Sequence, residues 1–138
     1  MADQGTKDDG ELWPPETVIA LAEPFTDERG VIQPLVDLTI QSAAVITSNK
    51  GAIRANHHHK TDWHYCYVIS GSIEYFHRPT GSTKPPEKIV IKAGEMFFTP
   101  PMVDHAMRFP VETVFLTMSR NPRDKESYES DVVRISLI

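Results

Sequence analysis

The chain has 138 residues, 40% of them hydrophobic and 24% charged, with a formal net charge of −5. That length supports one well-formed core and not two, and the composition is that of an ordinary globular domain. No basic stripe is present to follow a phosphate backbone, no apolar run is long enough to span a bilayer, and no signal-peptide core stands near the start. The expectation is a cytoplasmic protein without nucleic-acid or membrane partners.

Residues 1–12 are polar, aperiodic and acidic through Asp3, Asp8, Asp9 and Glu11, and read as a flexible tail before a single domain over 13–138. From there the pattern is short β-like runs. Residues 17–22, 31–36 and 43–48 are rich in Val, Ile, Leu and Thr, with the stretches 27–30 and 49–51 as turns. Runs 63–70 and 72–77 flank Gly71 and predict a hairpin. The stretch 78–87 carries Pro79, Pro85 and Pro86 and predicts a loop. Further strands are expected at 88–92, 96–99, 106–109, 113–119 and 132–137, and only 123–129 could wind a turn or two of helix. Many short strands with regular turn signals predict an all-β fold, a small jelly-roll β-barrel. The lone Cys66 excludes an internal disulfide, fits a reducing compartment and reads as a small core residue.

The histidines carry the chemistry. All six lie between Gly51 and His105, as His57, His58, His59, His64, His77 and His105. On a strand His57 and His59 share one face and His58 takes the other, the parity a chelating pair needs. His64 falls on the next run, where His64, Cys66 and Val68 share a face opposite Tyr65, Tyr67 and Ile69. In a small closed barrel these strands can bring His57, His59, His64 and His105 to one interior point. Four neutral imidazoles suit a divalent transition metal (zinc, nickel or iron) and disfavour magnesium and calcium. The other use of inward histidines is as bases or ligand contacts without any metal. His77 is expected to be exposed at its strand end before Pro79, the alternative being a place on the cavity wall.

The spacing Gly51…His57-His58-His59…His64…Gly71, followed by Gly94…Pro100…His105, resembles the two motifs of the cupin superfamily, G(X)5HXH(X)3-4E(X)6G and G(X)5PXG(X)2H(X)3N. His105 would then come from a distant hairpin. His64 stands where the motif has glutamate, Met102 where it has glycine and Phe109 where it has asparagine. The exchange at Met102 implies a turn that does not demand positive φ. The apolar set Phe97, Phe98, Met102, Met107, Phe109 and Phe115 reads as barrel core.

Within the cupins, Arg54-Ala55-Asn56-His57-His58-His59-Lys60 is similar to the RGxHAHK signature of nucleotide-sugar 3,4-ketoisomerases and to cupin domains of capsular polysaccharide enzymes. The stretch 121–128 resembles the endings of these sugar-linked cupins. The resemblance implies a carbohydrate isomerase or epimerase, with Arg54 on a phosphate or sugar oxygen and His57 or His59 shuttling a proton beside a keto group. A metal would polarise that carbonyl. The resemblance also implies a homodimer. Two other functions remain open: a non-haem metal dioxygenase with all-histidine ligation, and a non-catalytic module binding sugar or metal.

Overall fold

The computed structural model describes residues 13–138, so the expected tail over 1–12 lies outside the described residues. Two five-stranded antiparallel sheets face one another. Their strands are β1 (Val18–Ile19), β4 (Ser42–Ser48), β6 (His64–Ser70), β9 (Met96–Thr99) and β11 (Thr113–Ser119) in the first, and β5 (Ile53–His59), β7 (Ser72–Pro79), β8 (Glu87–Lys92), β10 (Val103–Arg108) and β12 (Val132–Arg134) in the second. The spatial orders are β1-β9-β6-β11-β4 and β12-β5-β10-β7-β8. A separate ribbon pairs β2 (Phe25–Asp27) with β3 (Gly30–Ile32), and one helix, α1 (Lys125–Asp131), precedes β12. The jelly-roll expectation is met: from β4 onward successive strands change sheet, except for the β7–β8 pair joined by the proline-rich loop.

That alternation corrects two expectations. The runs flanking Gly71 are not a hairpin: β6 pairs with β9 and β11, whereas β7 pairs with β8 and β10. One glycine at φ 90° cannot fold two strands back onto each other, but it can turn the chain from one sheet into the other. His105 likewise stands on no hairpin, since β9 and β10 lie in different sheets and β10 runs between β5 and β7.

Face alternation places the cores. Cys66, Val68, Ile73, Tyr75, Ile91, Phe97, Phe109 and Phe115 fill the space between the sheets. Trp63, Tyr65, Met96, Phe98 and Met118 form a second cluster on the outer face of the first sheet, beneath Trp13, Leu21, Leu35 and Ile40. Among the expected core residues Met102 is the exception, half exposed in the turn after Pro101. Its φ is 60°, so the turn does demand positive φ and the residue adopts it without being glycine. Two hydrogen bonds hold it there, from Met102 N to the His59 carbonyl at 2.8 Å and from Thr80 N to the Met102 carbonyl at 3.0 Å.

A Cβ on Gly71 would lie 2.5 Å from the Glu112 carbonyl oxygen and 2.8 Å from Thr113 Cα, both backbone atoms that cannot step aside. Gly81, at φ 93°, faces open space. Gly71→Ala should therefore cost about 2–5 kcal/mol by overpacking and left-handed strain together, against about 1–2 kcal/mol for Gly81→Ala from strain alone. Urea denaturation of the two variants checks the difference.

Candidate active site

Three strands bring the histidines together. His57 and His59 project from β5, His105 from β10 directly opposite His57, and His64 from the start of β6 across the barrel. The pairing of β5 with β10 slips by one residue at Ala55 and Asn56, both at positive φ (68° and 55°), and this bulge sets His57 against His105. Asn56 is held in place by the chain end: its side-chain oxygen accepts from the N–H groups of Leu137 and Ile138 at 3.1 and 3.0 Å.

The rings of His57 and His59 have centroids 4.7 Å apart, as do those of His57 and His105, and His59 and His64 are 4.6 Å apart. His57, His59 and His105 offer ring nitrogens that all lie within 4.8 Å of one another; His59, His64 and Asp62 form a second such group. The four expected imidazoles thus meet as two overlapping sets hinged on His59. Parity holds for His58, which points away and meets Asp104 at 3.1 Å.

Three of the four inward rings are oriented from behind. His59 Nδ1 donates to Asp131 Oδ2 at 2.9 Å, His105 Nδ1 donates to the Val103 carbonyl at 2.9 Å, and His64 Nδ1 lies 2.6 Å from Ser119 Oγ. His59 and His105 therefore carry their ring proton on Nδ1 and keep a lone pair on Nε2. Asp131, at the end of α1, also accepts from the Thr61 N–H and hydroxyl, both at 2.7 Å. Burial pushes its carboxyl up, but those bonds and His59 outweigh burial and hold it below the usual carboxylate range.

Burial keeps the imidazoles neutral. It pushes His57 down to about 2 and His105 to about 4, with neighbouring imidazoles adding to it; it also lowers His59, partly offset by Asp131, and takes His64 well below the usual value. His59 Nε2 and His64 Nε2 are 3.0 Å apart. Two lone pairs cannot face each other at that distance without a proton or a cation between them. A proton there means that His64 donates to His59 while Ser119 donates to His64. A cation fits equally: nitrogens bound at right angles to one ion at about 2.1 Å lie about 3.0 Å apart. The donors are imidazole nitrogens with Asp62 Oδ2 3.5 Å from His64 Nε2, and His59, His64 and His105 have outer partners in place, so these residues fit a transition metal.

The histidines open into a cavity of about 160 Å³ lined also by Arg54, Tyr75, Phe97, Thr99, Phe115, Arg123 and Tyr128. Arg54 is positioned by Nε on Ser48 Oγ at 2.8 Å and Nη2 on the Thr47 carbonyl at 3.1 Å. Cys66 is buried as expected and its thiol is pushed up to about 12, which makes it inert. His77 is not the exposed strand-end residue expected: it shares the inward face with Ile73 and Tyr75, stacks on Tyr75 at 5.1 Å and is half-buried. Nor does it line the histidine cavity. Sequence reasoning missed Asp131, Ser119, Asp62, Arg123 and Tyr128. Asp131 and Ser119 are 72 and 55 residues from the histidines they orient, so no local spacing announces them.

No family model matches the chain, and no curated protein matches it either. Solved structures do. The sugar 3,4-ketoisomerase QdtA from Thermoanaerobacterium thermosaccharolyticum, in complex with TDP, is 20% identical with a TM-score of 0.67, over 83% of this chain and 86% of that one. The dTDP-4-dehydrorhamnose 3,5-epimerase from Sulfolobus tokodaii is 16% identical with a TM-score of 0.61, over 75% and 69%. The capsular polysaccharide assembling protein CapF from Staphylococcus aureus is 17% identical with a TM-score of 0.64, over 86% of this chain and 32% of that one. The chain has the RmlC-like cupin jelly-roll fold that these proteins share.

Proposed function

We propose that the chain isomerises or epimerises a carbohydrate, nucleotide-linked, by moving a proton at the carbon beside a carbonyl. The observation that carries this reading is the cluster of neutral imidazoles, three of them oriented from outside and all open to one small cavity. Structural neighbours point the same way, since they are named as 3,4-ketoisomerases and 3,5-epimerases. A divalent transition metal, zinc, nickel or iron, would be held by His57, His59 and His105 with His64 beside them. When bound it supplies a Lewis acid for the substrate carbonyl.

The chain's own residues do the rest. Asp131 keeps the His59 proton on Nδ1, and the Val103 carbonyl does the same for His105. His57 makes no hydrogen bond to a described residue. It lines the cavity, so where no metal holds it a ring nitrogen is open to a substrate proton. Phe97, Phe115 and Tyr75 keep the cavity floor apolar and limit water there. Arg54 offers its remaining N–H groups at the mouth to a phosphate or sugar oxygen.

A second reading rests on the Asp131 contact. Without a metal, Ser119, His64, His59 and Asp131 form one directed hydrogen-bond chain that occupies both ring nitrogens of His59, so the chain holds the rings in place and leaves His57 to act as the base. Isomerisation then needs only side chains.

Elemental analysis separates the two readings. Under the metal reading the untagged protein carries close to one ion per chain, His105→Ala and His59→Ala lose it, and His58→Ala keeps it. Reproducible absence of metal after reconstitution removes that reading and leaves the second. A companion assay follows solvent deuterium into a 4-keto sugar nucleotide such as the TDP-4-keto-6-deoxyglucose bound by a QdtA variant. Asp131→Asn should slow exchange by about 10–100-fold, the usual effect of losing a partner that orients a working histidine. Unchanged exchange would show that Asp131 orients nothing that matters to the chemistry. We propose the homodimer too, on the support of the unpaired edge at β4, where Val45 is 65% exposed. Light scattering that returned the mass of a single chain would remove it.

A further inference from the structure

Arg54 and His57 line the same cavity, although an uninterrupted strand would set them on opposite faces. They stand three positions apart, and alternation would put Arg54 with His58, on the side away from the histidines. The break lies between them. β10 pairs His105 with His57 and Ala106 with Ala55, so Asn56 is passed over. Beyond that residue the parity is reversed, and Met107, itself on the cavity wall, stands opposite Arg54. One extra residue in β5 thus turns an imidazole and a guanidinium into one space.

The strand alone would not choose this arrangement. Ala55 and Asn56 hold φ of 68° and 55°, a region that disfavours residues other than glycine, and a slip of one position would free both. The opposing hold comes from segment 135–138. β12 follows β5 as far as Arg134, opposite His57, and the Ile135 N–H then donates to the Asn56 carbonyl at 2.9 Å. There the ladder stops and the Asn56 side chain takes its place. Its Oδ1 accepts from the N–H groups of Leu137 and Ile138 at 3.1 and 3.0 Å, and its Nδ2 donates to the Ile138 carbonyl at 3.3 Å. Four hydrogen bonds therefore converge on the extra residue. A primary amide suits the position, since its oxygen accepts twice, its nitrogen donates, and Asn tolerates the left-handed region.

We infer that Asn56 is a positioning residue of the site: by clasping segment 135–138 it keeps β5 bulged, and the bulged strand presents Arg54 and His57 to one cavity with His57 opposite His105. What those two side chains do there rests on the carbohydrate reading; where they point does not. The clasp and the backbone conformation can be separated by substitution. Glycine supplies the positive φ without the clasp, whereas aspartate tolerates the φ and accepts both N–H groups.

The test is nuclear magnetic resonance on the intact protein with labelled histidine, supplied with zinc so that no paramagnetic ion broadens the signals. It follows the cross-peak between the rings of His57 and His105, 4.7 Å apart, and that between His59 and His64, 4.6 Å apart. Asn56→Gly should lose the first and keep the second, and deuterium exchange into the keto sugar should slow by about 10–100-fold, the effect of displacing a reacting group by about 1 Å. Asn56→Asp should restore both. Leu137→Pro, which removes one clasped N–H, should move both readouts in the direction of Asn56→Gly. Gly30→Ala, at φ 140° in the separate β2–β3 ribbon, controls for lost stability alone and should keep both cross-peaks and the rate. Survival of the His57–His105 contact in Asn56→Gly and Leu137→Pro overturns the inference, because the bulge then holds itself. Loss of both ring contacts together in Asn56→Gly also overturns it, since Asn56 would then support the fold at large. Loss of the first contact alone, in a protein whose wild type exchanges no deuterium, sustains the inference while sinking the isomerase reading.

Discussion

The hydrogen bond from His59 to Asp131 is the constraint on which the site is built. It spans 72 residues and joins the end of α1 to the end of β5. Because an ionised carboxylate can only accept, it fixes the proton on Nδ1 and turns the lone pair of Nε2 towards His64. The same carboxylate takes the Thr61 N–H and hydroxyl and the Asp62 N–H, so it ties the β5–β6 connection to the helix as well. From that anchor α1 sets Tyr128 over His59 and brings Arg123 to the mouth. A helix of seven residues would be marginal alone; here its last residue is secured from inside the barrel.

Backbone strain serves the same arrangement. Ala55, Asn56 and Met102 all sit at positive φ, which costs a non-glycine residue about 1–2 kcal/mol. All three stand near the histidines, and Asn56 and Met102 are held by bonds the surroundings supply. The Asn56 side chain pairs with the chain end through both its oxygen and its nitrogen, while the Met102 N–H binds the carbonyl of His59 itself. The bulge at 55–56 places His57 opposite His105, and the turn at Met102 fixes the backbone of His59. Strain at both points goes with the alignment of the histidine-bearing strands, as expected where local geometry is over-determined by its neighbours.

What could be read from the sequence followed from periodicity and spacing. The two-residue alternation that set His57 and His59 inward and His58 outward is intrinsic to a strand, and so is the split of Cys66 and Val68 from Tyr65 and Tyr67. The barrel itself was legible from the rhythm of short runs and turns. Sheet assignment was not, because a glycine between two strands looks alike whether the chain folds back or crosses over; only the pairing partners of β6 and β7 decide it. The conformation of Met102 was misread for a related reason. A missing glycine was taken to mean an undemanding turn, yet two backbone hydrogen bonds hold the positive φ regardless. His77 was judged by its neighbour Pro79, whereas the strand's parity with Ile73 and Tyr75 governs where it points.

The histidine at position 64 changes the charge of the site more than its shape. A carboxylate there would place a negative charge among the imidazoles and favour their protonation. With His64 instead, burial leaves all four rings neutral, and their mutual approach at 4.6–4.7 Å opposes charging any one of them. Among the described residues lining the cavity, the formal charges are the guanidiniums of Arg54 and Arg123. The exchange therefore weakens the histidines as bases, and the carboxylates that accept their ring N–H groups, Asp131 from His59 and Asp104 from His58, stand outside the cavity.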